Sequence, residues 1–261
     1  MTGWAKDFSF DYYRRLVNGV CATMEPRLFR EVPILDPAER HVLLRHDIDC
    51  SLEEAVQLAE FEKHLGVRAS YYVMMHSLLY DLRHSSALRE IAAMGHEVGV
   101  HFDLPADCDE NDSSLVEALI QEDCERLEDL LGAPVYSLSF HRPIQQFLRG
   151  PLFLANRVNA YAADLMQWYI SDSRGSWRCG EPLREVAKSR QPTLQLLTHP
   201  IWWGPIHMAP ADRLQLFFLR LTRGKNLQER SRVDDDLTQT MPGIRRNDLY
   251  LPEVADAAVA K

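Results

Sequence analysis

Five short segments of the sequence each run through apolar, strand-forming residues and end in histidine or aspartate. They are residues 42–49, 95–103, 136–143, 168–172 and 194–200. Stretches with helical character separate at least the first four. In a parallel β/α fold the carboxyl ends of the strands gather on one face, and ligands bind there. The repetition of metal-binding and acid–base residue types at these ends therefore predicts one shared site.

The stretches between these segments favour alternating helices and strands. Ser51 with Glu54 forms a capping box for a helix over 51–65, which Gly66 ends. We expect a strand over 69–74 and helices over 85–94, 113–131 and 181–189, while residues 157–163 fit neither type. Alternation at this spacing predicts an α/β fold with a parallel sheet that can close into a barrel.

Composition places the chain among ordinary globular proteins and narrows its partners. It has 261 residues, of which 46% are hydrophobic and 26% charged, and a net charge of -9. This charge, without any basic stripe, argues against nucleic acid and anionic membranes as partners. No apolar stretch is long enough to span a bilayer, the N-terminus lacks the pattern of a secretory signal, and the five cysteines contain no CxxC pair. Together these features predict a cytoplasmic protein with reduced thiols.

The segment His46-Asp47-Ile48-Asp49 places two carboxylates two residues apart. Side chains at this spacing on a strand point to the same side, so Asp47 and Asp49 can project into one site. Two adjacent carboxylates repel each other when both are ionised. A divalent cation relieves the repulsion and leaves one as ligand and the other as base. In the alternative interpretation, Asp49 caps the following helix and Asp47 pairs with Arg45.

Histidines end two of the other strand-like runs. His101 follows Val98-Gly99-Val100 and is suited to bind a metal through a neutral imidazole; the alternative is a hydrogen-bonded core histidine. Asp103 shares its face if the chain stays extended. His141 and Arg142 follow another apolar run, and the guanidinium fork of Arg142 suits a carboxylate, either of a substrate or of a catalytic aspartate.

Tryptophans accompany the last two segments. Trp177 lies in the loop after Asp172, while Trp202 and Trp203 follow His199 closely. Indole rings beside a candidate catalytic histidine can form a wall that stacks against a sugar ring. Tryptophans also commonly anchor a hydrophobic core, and both interpretations of Trp202 and Trp203 stay open.

In order and spacing, the five segments resemble the motifs of the polysaccharide deacetylase family, the carbohydrate esterases with NodB homology. The matching positions are the pair Asp47 and Asp49, the Gly-His-Glu-x-Gly-x-His run 95–101, Arg142 with Pro143, Asp172 with Trp177, and His199. The resemblance covers residues 40–205. It implies a distorted (β/α) barrel of about seven parallel strands in a single domain, residues 1–222, followed by a charged tail, residues 223–261, that is peripheral or flexible.

The same resemblance implies a metal-dependent hydrolase that removes an acyl group, acetyl first of all, from an amino sugar or glycan precursor. The expected cofactor is Zn²⁺, with Co²⁺, Ni²⁺ or Mn²⁺ as alternatives. The family has a second ligand histidine four residues after the first, where this chain has Pro105, so either His141 or Asp103 completes the set with Asp49 and His101.

The remaining roles follow from the same resemblance. Asp47 is assigned as base, although the reverse assignment of the two aspartates stays open. His199 is assigned as general acid, Asp172 as the residue that orients it, and Arg142 as the residue that holds Asp47. The candidate substrate-binding residues are Trp177, Trp202, Trp203 and Asp103.

Two other functions remain in view. The same barrel family includes hydrolases of linear or cyclic amides in small nitrogen compounds. The other is a non-catalytic member of the family that binds glycan or scaffolds an assembly. This function stays open because the second ligand histidine of the family is missing, and the loss of a ligand lowers the affinity for metal. The expected partner is an acetylated sugar or glycan precursor, with no nucleic acid and no membrane span, in an oligomeric state that the sequence leaves open.

Overall fold

The computed structural model describes Trp4 and residues 6–36, 38–188 and 191–241. The strands are β1 (Glu25–Arg27), β2 (His41–Ile48), β3 (Ser70–Val73), β4 (Glu97–Phe102), β5 (Ser137–Phe140), β6 (Phe153–Leu154), β7 (Arg157–Asn159), β8 (Tyr169–Ser171) and β9 (Thr193–Thr198). The helices are α1 (Phe10–Cys21), α2 (Leu52–Leu65), α3 (Ala87–Ala93), α4 (Ser113–Leu131), α5 (Pro182–Val186), α6 (Pro210–Thr222) and α7 (Leu227–Thr240). Short 3₁₀ turns lie at Phe29–Ile34, Leu82–His84, Ala163–Met166, Ser173–Gly175 and Pro200–Trp202.

The nine strands of the described residues belong to one sheet, in the order β6-β7-β5-β4-β3-β2-β9-β8, with β1 paired to β2 off this path. Every pairing is parallel except that of β6 with β7. The predicted α/β class is therefore confirmed. In the described part of the chain, eight strands join parallel pairings, where about seven were expected, and β6 adds an antiparallel edge.

The sheet curls so that distant strands face each other across an interior. Gln195 on β9 donates from its side-chain amide to the carbonyl oxygens of Ala160, at 2.8 Å, and Leu165, at 3.3 Å. Both acceptors follow β7, which is separated from β9 by four strands in the sheet order. These contacts belong to a curled sheet in the form of a half-barrel, which is consistent with the distorted (β/α) barrel that the resemblance implied.

Alternation along the strands sorts their side chains into two layers. Val42, Leu44 and Ile48 of β2 pack in the large core cluster, which also holds the apolar faces of the helices. Leu43 packs in a smaller cluster with Tyr72 and residues after β7, inside the curl. All eight residues of β2 are buried, as expected for a parallel strand covered on both faces.

The helix boundaries follow the capping residues in the sequence. Ser51 accepts a hydrogen bond from the backbone N–H of Glu54 at the start of α2, and Gly66 ends the helix in the left-handed region at φ 74°. The predicted helices over 51–65 and 113–131 are confirmed as α2 and α4. The helix expected over 181–189 is observed as the shorter α5, and part of the ambiguous segment 157–163 forms β7.

The charged region after residue 222 contains a helix that packs against the rest of the fold. Helix α7 contacts α6, and Leu237, Thr240 and Met241 are buried. The rest of the predicted tail, residues 242–261, lies outside the described residues. Among those described, no helix is both long and apolar enough to cross a membrane.

Candidate metal and acid–base site

The candidate residues meet where parallel strands end at one rim of the half-barrel. Asp49 directly follows β2, His141 follows β5, and His199 follows β9, while His101 is the fifth residue of β4. Asp172 directly follows β8. The period of two along each strand points Asp49, His101, His141 and His199 inward, and all four line the cavity there. Asp172 alternates with Ser171 and Ser173, which line the cavity, and does not itself line it.

Asp49, His101 and His141 form a compact triangle of donor atoms. Asp49 Oδ1 lies 3.1 Å from His101 Nε2 and 3.2 Å from His141 Nδ1, and the two nitrogens are 3.4 Å apart. Ligands about 2.0–2.1 Å from a tetrahedral zinc lie about 3.3–3.4 Å from one another. The three side chains therefore fit one divalent cation, and of the two candidates for the third ligand the geometry favours His141 over Asp103.

Hydrogen bonds to Ser139 orient His101 for this role. Ser139 Oγ lies 2.6 Å from His101 Nδ1 and 3.4 Å from Asp47 Oδ1. When Ser139 donates to the Asp47 carboxylate, it accepts from Nδ1–H of His101, which leaves the Nε2 lone pair free toward Asp49. Partners of this kind fix the tautomer and ring orientation of metal-binding histidines.

Asp47 is held by Arg45, which corrects the prediction that Arg142 holds it. Arg45 Nε and Nη2 donate to the two carboxylate oxygens of Asp47 at 2.9 and 2.7 Å, and both side chains are buried. Arg142 instead donates to Asp103 Oδ1 at 2.6 Å and to the carbonyl oxygen of Leu104 at 3.0 Å. Asp103, a candidate ligand and substrate contact, therefore serves as the partner of Arg142 away from the triangle.

His199 and Asp172 form a buried pair beside the triangle. Asp172 Oδ1 accepts from His199 Nδ1 at 2.6 Å and from its backbone N–H at 3.0 Å, while Oδ2 accepts from the indole N–H of Trp203 at 2.8 Å. Because Nδ1 is occupied, Nε2 of His199 faces the site, 3.7 Å from Asp49 Oδ2. The arrangement holds one ring nitrogen of His199 toward any molecule in the site.

The charges in the site lower the pKa of Asp47 and raise the pKa of His199. Burial raises the pKa of Asp47, but the charge of Arg45, with smaller contributions from His101 and His199, outweighs it and lowers the pKa below that of a free aspartate. Burial lowers the pKa of His199, but Asp172, Asp49 and Asp47 outweigh it and raise the pKa to about 9. At neutral pH these shifts favour an ionised Asp47 and a protonated His199.

The three tryptophans lie in the core, which corrects their prediction as a stacking wall. Trp177, Trp202 and Trp203 are at most 1% exposed, and none of them lines the cavity at the site. Trp203 packs edge-on against Phe8 and Tyr13 and supplies the hydrogen bond to Asp172. Of the two interpretations that the sequence left open for Trp202 and Trp203, core packing is the one observed.

A cavity of about 480 Å³ opens over these residues, a volume typical of small-molecule sites. Asp47, Asp49, His101, His141 and His199 form its floor. Its walls include the apolar side chains of Phe140, Leu148, Tyr161, Met166 and Tyr169 and, on another side, Arg174 and Arg178. The sequence analysis did not identify these two arginines or Tyr161 as residues of the site. The one available signal was that Arg174 and Arg178 lie close to Trp177 in the sequence, in the loop after Asp172.

No protein-family model matches the sequence, and no curated protein matches it significantly. Several solved structures are similar to it. A CE4 family pseudoenzyme from Bacillus anthracis is 16% identical over 74% of this chain and 66% of its own, with a TM-score of 0.42. This chain thus spans about two thirds of the length of that protein.

Two further similar structures are named for enzymes. The peptidoglycan deacetylase PdaC from Bacillus subtilis is 12% identical over 78% of this chain and 98% of its own, with a TM-score of 0.42. A family 4 carbohydrate esterase from Bacillus anthracis is 15% identical over 80% of this chain and 86% of its own, with a TM-score of 0.40. Similarity at this level does not assign the chain to a family, so functional roles rest on its own residues.

Proposed function

We propose that this protein is a metal-dependent hydrolase that removes an acyl group, acetyl first of all, from an amino sugar or glycan precursor. The main supporting observation is that three units meet at one cavity: the triangle of Asp49, His101 and His141, the Asp47 carboxylate held by Arg45, and the Asp172–His199 pair. Hydrolysis of an amide or ester needs a group that activates water, a base and an acid, and these units match those needs.

Asp49, His101 and His141 would hold the cation, Zn²⁺ first and Co²⁺, Ni²⁺ or Mn²⁺ as alternatives. Three protein ligands are the usual number in catalytic zinc sites, which keep a further position open. When bound, such a cation polarises an acyl carbonyl and lowers the pKa of a coordinated water.

Asp47 is suited to accept the proton of the attacking water. Its carboxylate is ionised because Arg45 lowers its pKa, and it lines the cavity floor next to His101. Arg45 also fixes the carboxylate in one orientation through two hydrogen bonds. The base is therefore held in place before a substrate binds, as efficient proton transfer requires.

His199 is suited to protonate the leaving nitrogen or oxygen. The raised pKa keeps it protonated at neutral pH, and Asp172 directs the proton on Nε2 toward the cavity. In the overall reaction the water oxygen bonds to the acyl carbon, its proton passes to Asp47, and the C–N or C–O bond breaks as the leaving group takes the proton of His199. The products are a carboxylic acid and an amine or alcohol, and return of the proton from Asp47 to His199 through solvent restores both groups.

The test is hydrolysis of a panel of acetylated amino sugars and sugar esters by the metal-loaded protein. We expect Asp47→Asn to lower kcat by about 10²–10⁴-fold, the usual contribution of a positioned base, without loss of metal. Asp103→Asn is the matched control, because Asp103 pairs with Arg142 away from the triangle. Full activity of Asp47→Asn would contradict the proposed role of Asp47.

Hydrolysis of a small amide or imide is the second candidate. The apolar wall formed by Phe140, Leu148 and Met166, in a cavity of about 480 Å³, suits a small nitrogen compound as well as a single sugar. Adding ureides and cyclic imides to the panel separates the two reactions. Turnover of these compounds, with none of the acetylated sugars, would replace the first proposal by the second.

A further inference from the structure

The loop after β8 presents two arginines to the cavity. Arg174 and Arg178 are exposed and line the same cavity as Asp49, His101 and His199. Within the described part of the chain, neither guanidinium takes part in a salt bridge or hydrogen bond. By contrast, Arg45, Arg142 and Arg157 each bind a carboxylate. Among the described residues, these two cations therefore have no carboxylate partner, although acidic residues outnumber basic ones by 38 to 29 in the sequence.

The backbone of the loop that carries the two arginines is held in one conformation. Arg174 lies in the left-handed region at φ 62°, which is unfavourable for a residue with a Cβ and persists only where its surroundings impose it. Gly175 follows at φ 65°, and a Cβ there would lie 2.4 Å from Pro210. The backbone N–H and C=O of Trp177 bond to Trp4 at 2.9 Å each. The loop is thus anchored on both sides of its apex.

The charges on the cavity floor do not oppose an anion on this wall. Asp47 is neutralised by Arg45, and Asp49 lies against His101 and His141. A cation bound by Asp49 would add further positive charge. The two carboxylates that line the cavity thus each lie beside a basic side chain, while Arg174 and Arg178 add two further positive charges to the lining, and such charges attract anionic ligands.

We propose that Arg174 and Arg178 bind an anionic group, a phosphate or a carboxylate, carried by the acylated sugar. This inference rests on the proposed function and narrows its substrate class. Guanidinium forks bind phosphate and carboxylate oxygens through paired, charge-assisted hydrogen bonds. A neutral glycan would leave both arginines without a partner, so a sugar phosphate or a sugar acid fits the cavity better than a neutral polymer.

The experiment measures binding of deacylated product analogues, which cannot be turned over, to the full-length protein as purified with its metal. Isothermal titration compares glucosamine 1-phosphate and muramic acid, which carry a phosphate and a carboxylate, with methyl glucosaminide, which has the same amino group but no anionic group and is called the neutral probe for that reason. We expect at least one anionic probe to bind roughly 10-fold or more tightly than the neutral one, and the tighter of the two identifies the group.

The variants are chosen to keep the fold. Arg174→Asn respects the left-handed backbone, which asparagine tolerates, and Arg178→Ala removes the second guanidinium. Each variant should bind the anionic probe roughly 10-fold more weakly than the wild type and bind the neutral probe with unchanged affinity. Arg184→Ala is the control, since Arg184 is exposed, pairs with Glu181 and does not line the cavity.

Several outcomes would overturn the inference: equal binding of all three probes, no measurable binding of either anionic probe, or an anionic preference that survives in the Arg174→Asn, Arg178→Ala double variant. If the protein hydrolyses acetylated sugars but does not prefer the anionic probes, this inference is wrong and the proposed function stands. If the protein prefers the anionic probes but binds no metal and hydrolyses none of the acetylated sugars, the proposed function is wrong instead.

Discussion

Arg45 and Asp47 lie two residues apart on β2, so both side chains point into the barrel, where the guanidinium reaches both carboxylate oxygens. Arg45 also donates to Gln195 at 2.8 Å and lies over the ring of Tyr161 at 4.5 Å. Arg142 directly follows His141, and its half-exposed side chain turns toward Asp103. The position of each arginine along its strand decides which one can hold the candidate base.

At the residue scale, the first prediction concerns Asp172. Because Asp172 raises the pKa of His199 to about 9, the acid form of His199 is present below that pH and is lost as the pH rises through it. We expect kcat of Asp172→Asn to fall by about 10²–10⁴-fold at pH 8, and the basic limb of its pH–rate profile to move to lower pH. Rates measured from pH 6 to 10 test this.

Asp164→Asn supplies the control for this experiment, since Asp164 is an exposed carboxylate in the 3₁₀ turn before β8. Its pH–rate profile should match that of the wild type. An Asp172→Asn profile that also matches the wild type would show that Asp172 does not set the protonation of the general acid.

At the scale of elements, a buried polar cluster joins α1, α2, β2 and β3 on the helix side of the sheet. Glu62 accepts hydrogen bonds from Tyr13 at 2.5 Å, Tyr71 at 2.6 Å and His46 Nε2 at 2.9 Å. His46 Nδ1 lies 2.7 Å from Thr198 Oγ1 on β9. His46 and Thr198 directly precede Asp47 and His199, so this cluster fixes the two strand ends that carry the candidate base and acid.

The second prediction follows from the charge of Glu62. Burial raises its pKa, but the charge and hydrogen bond of His46, with smaller contributions from His96 and Tyr13, outweigh it and lower the pKa. A lowered pKa stabilises the folded protein above the unfolded pKa of about 4.3, and this stability is lost as the pH falls. We expect Glu62→Gln to lower the free energy of unfolding at pH 7 by about 1–3 kcal/mol.

Urea denaturation at pH values from 7 to 2 measures this difference, because the stabilisation is lost only as the pH falls below the unfolded pKa of about 4.3. The difference in the free energy of unfolding between the wild type and Glu62→Gln should become smaller as the pH falls, because protonation then removes the charge of Glu62 from the wild type as well. Glu60→Gln, two residues away on the exposed side of α2, should behave like the wild type at every pH. A gap that stays constant with pH would contradict a stabilising charge at Glu62.

At the scale of the whole molecule, the curl of the sheet brings together residues from strands that are far apart in the sequence. Asp49 and His199 are 150 positions apart, yet their side chains approach to 3.7 Å, because β2 and β9 are neighbours in the sheet. Gly99 on β4 permits this curvature: a Cβ there would lie 2.6 Å from the carbonyl oxygen of Ser137 and 2.7 Å from the ring of Tyr72. The site is thus a product of the sheet's shape.

Much of this arrangement follows from patterns in the sequence. The period of two and the position of polar residues at strand ends indicated that Asp49, His101, His141 and His199 share one rim. Sequence could not separate His141 from Asp103 as third ligand, since that depends on which side chain turns inward after its strand ends. Burial of an indole ring likewise depends on what packs over it, so Trp177 was misassigned to the site.

Helix α1 was missed although its signal is present. Tyr12, Tyr13, Leu16, Val17 and Val20 repeat at helical spacing and are all buried. The C-terminal region was interpreted as a charged tail because α7 has few apolar positions, and Leu237 alone gives little periodicity. Its contact with the cavity through Thr240 and Met241 arises only from its packing.

Whether Asp49, His101 and His141 bind a metal ion can be measured directly. The experiment is elemental mass spectrometry of the purified protein after exposure to Zn²⁺, Co²⁺, Ni²⁺ or Mn²⁺. We expect near-stoichiometric metal in the wild type and in Asp103→Ala, and loss of the metal in Asp49→Ala, His101→Ala and His141→Ala. A wild type that binds none of the four ions, or metal lost from Asp103→Ala but kept by His141→Ala, would contradict this expectation.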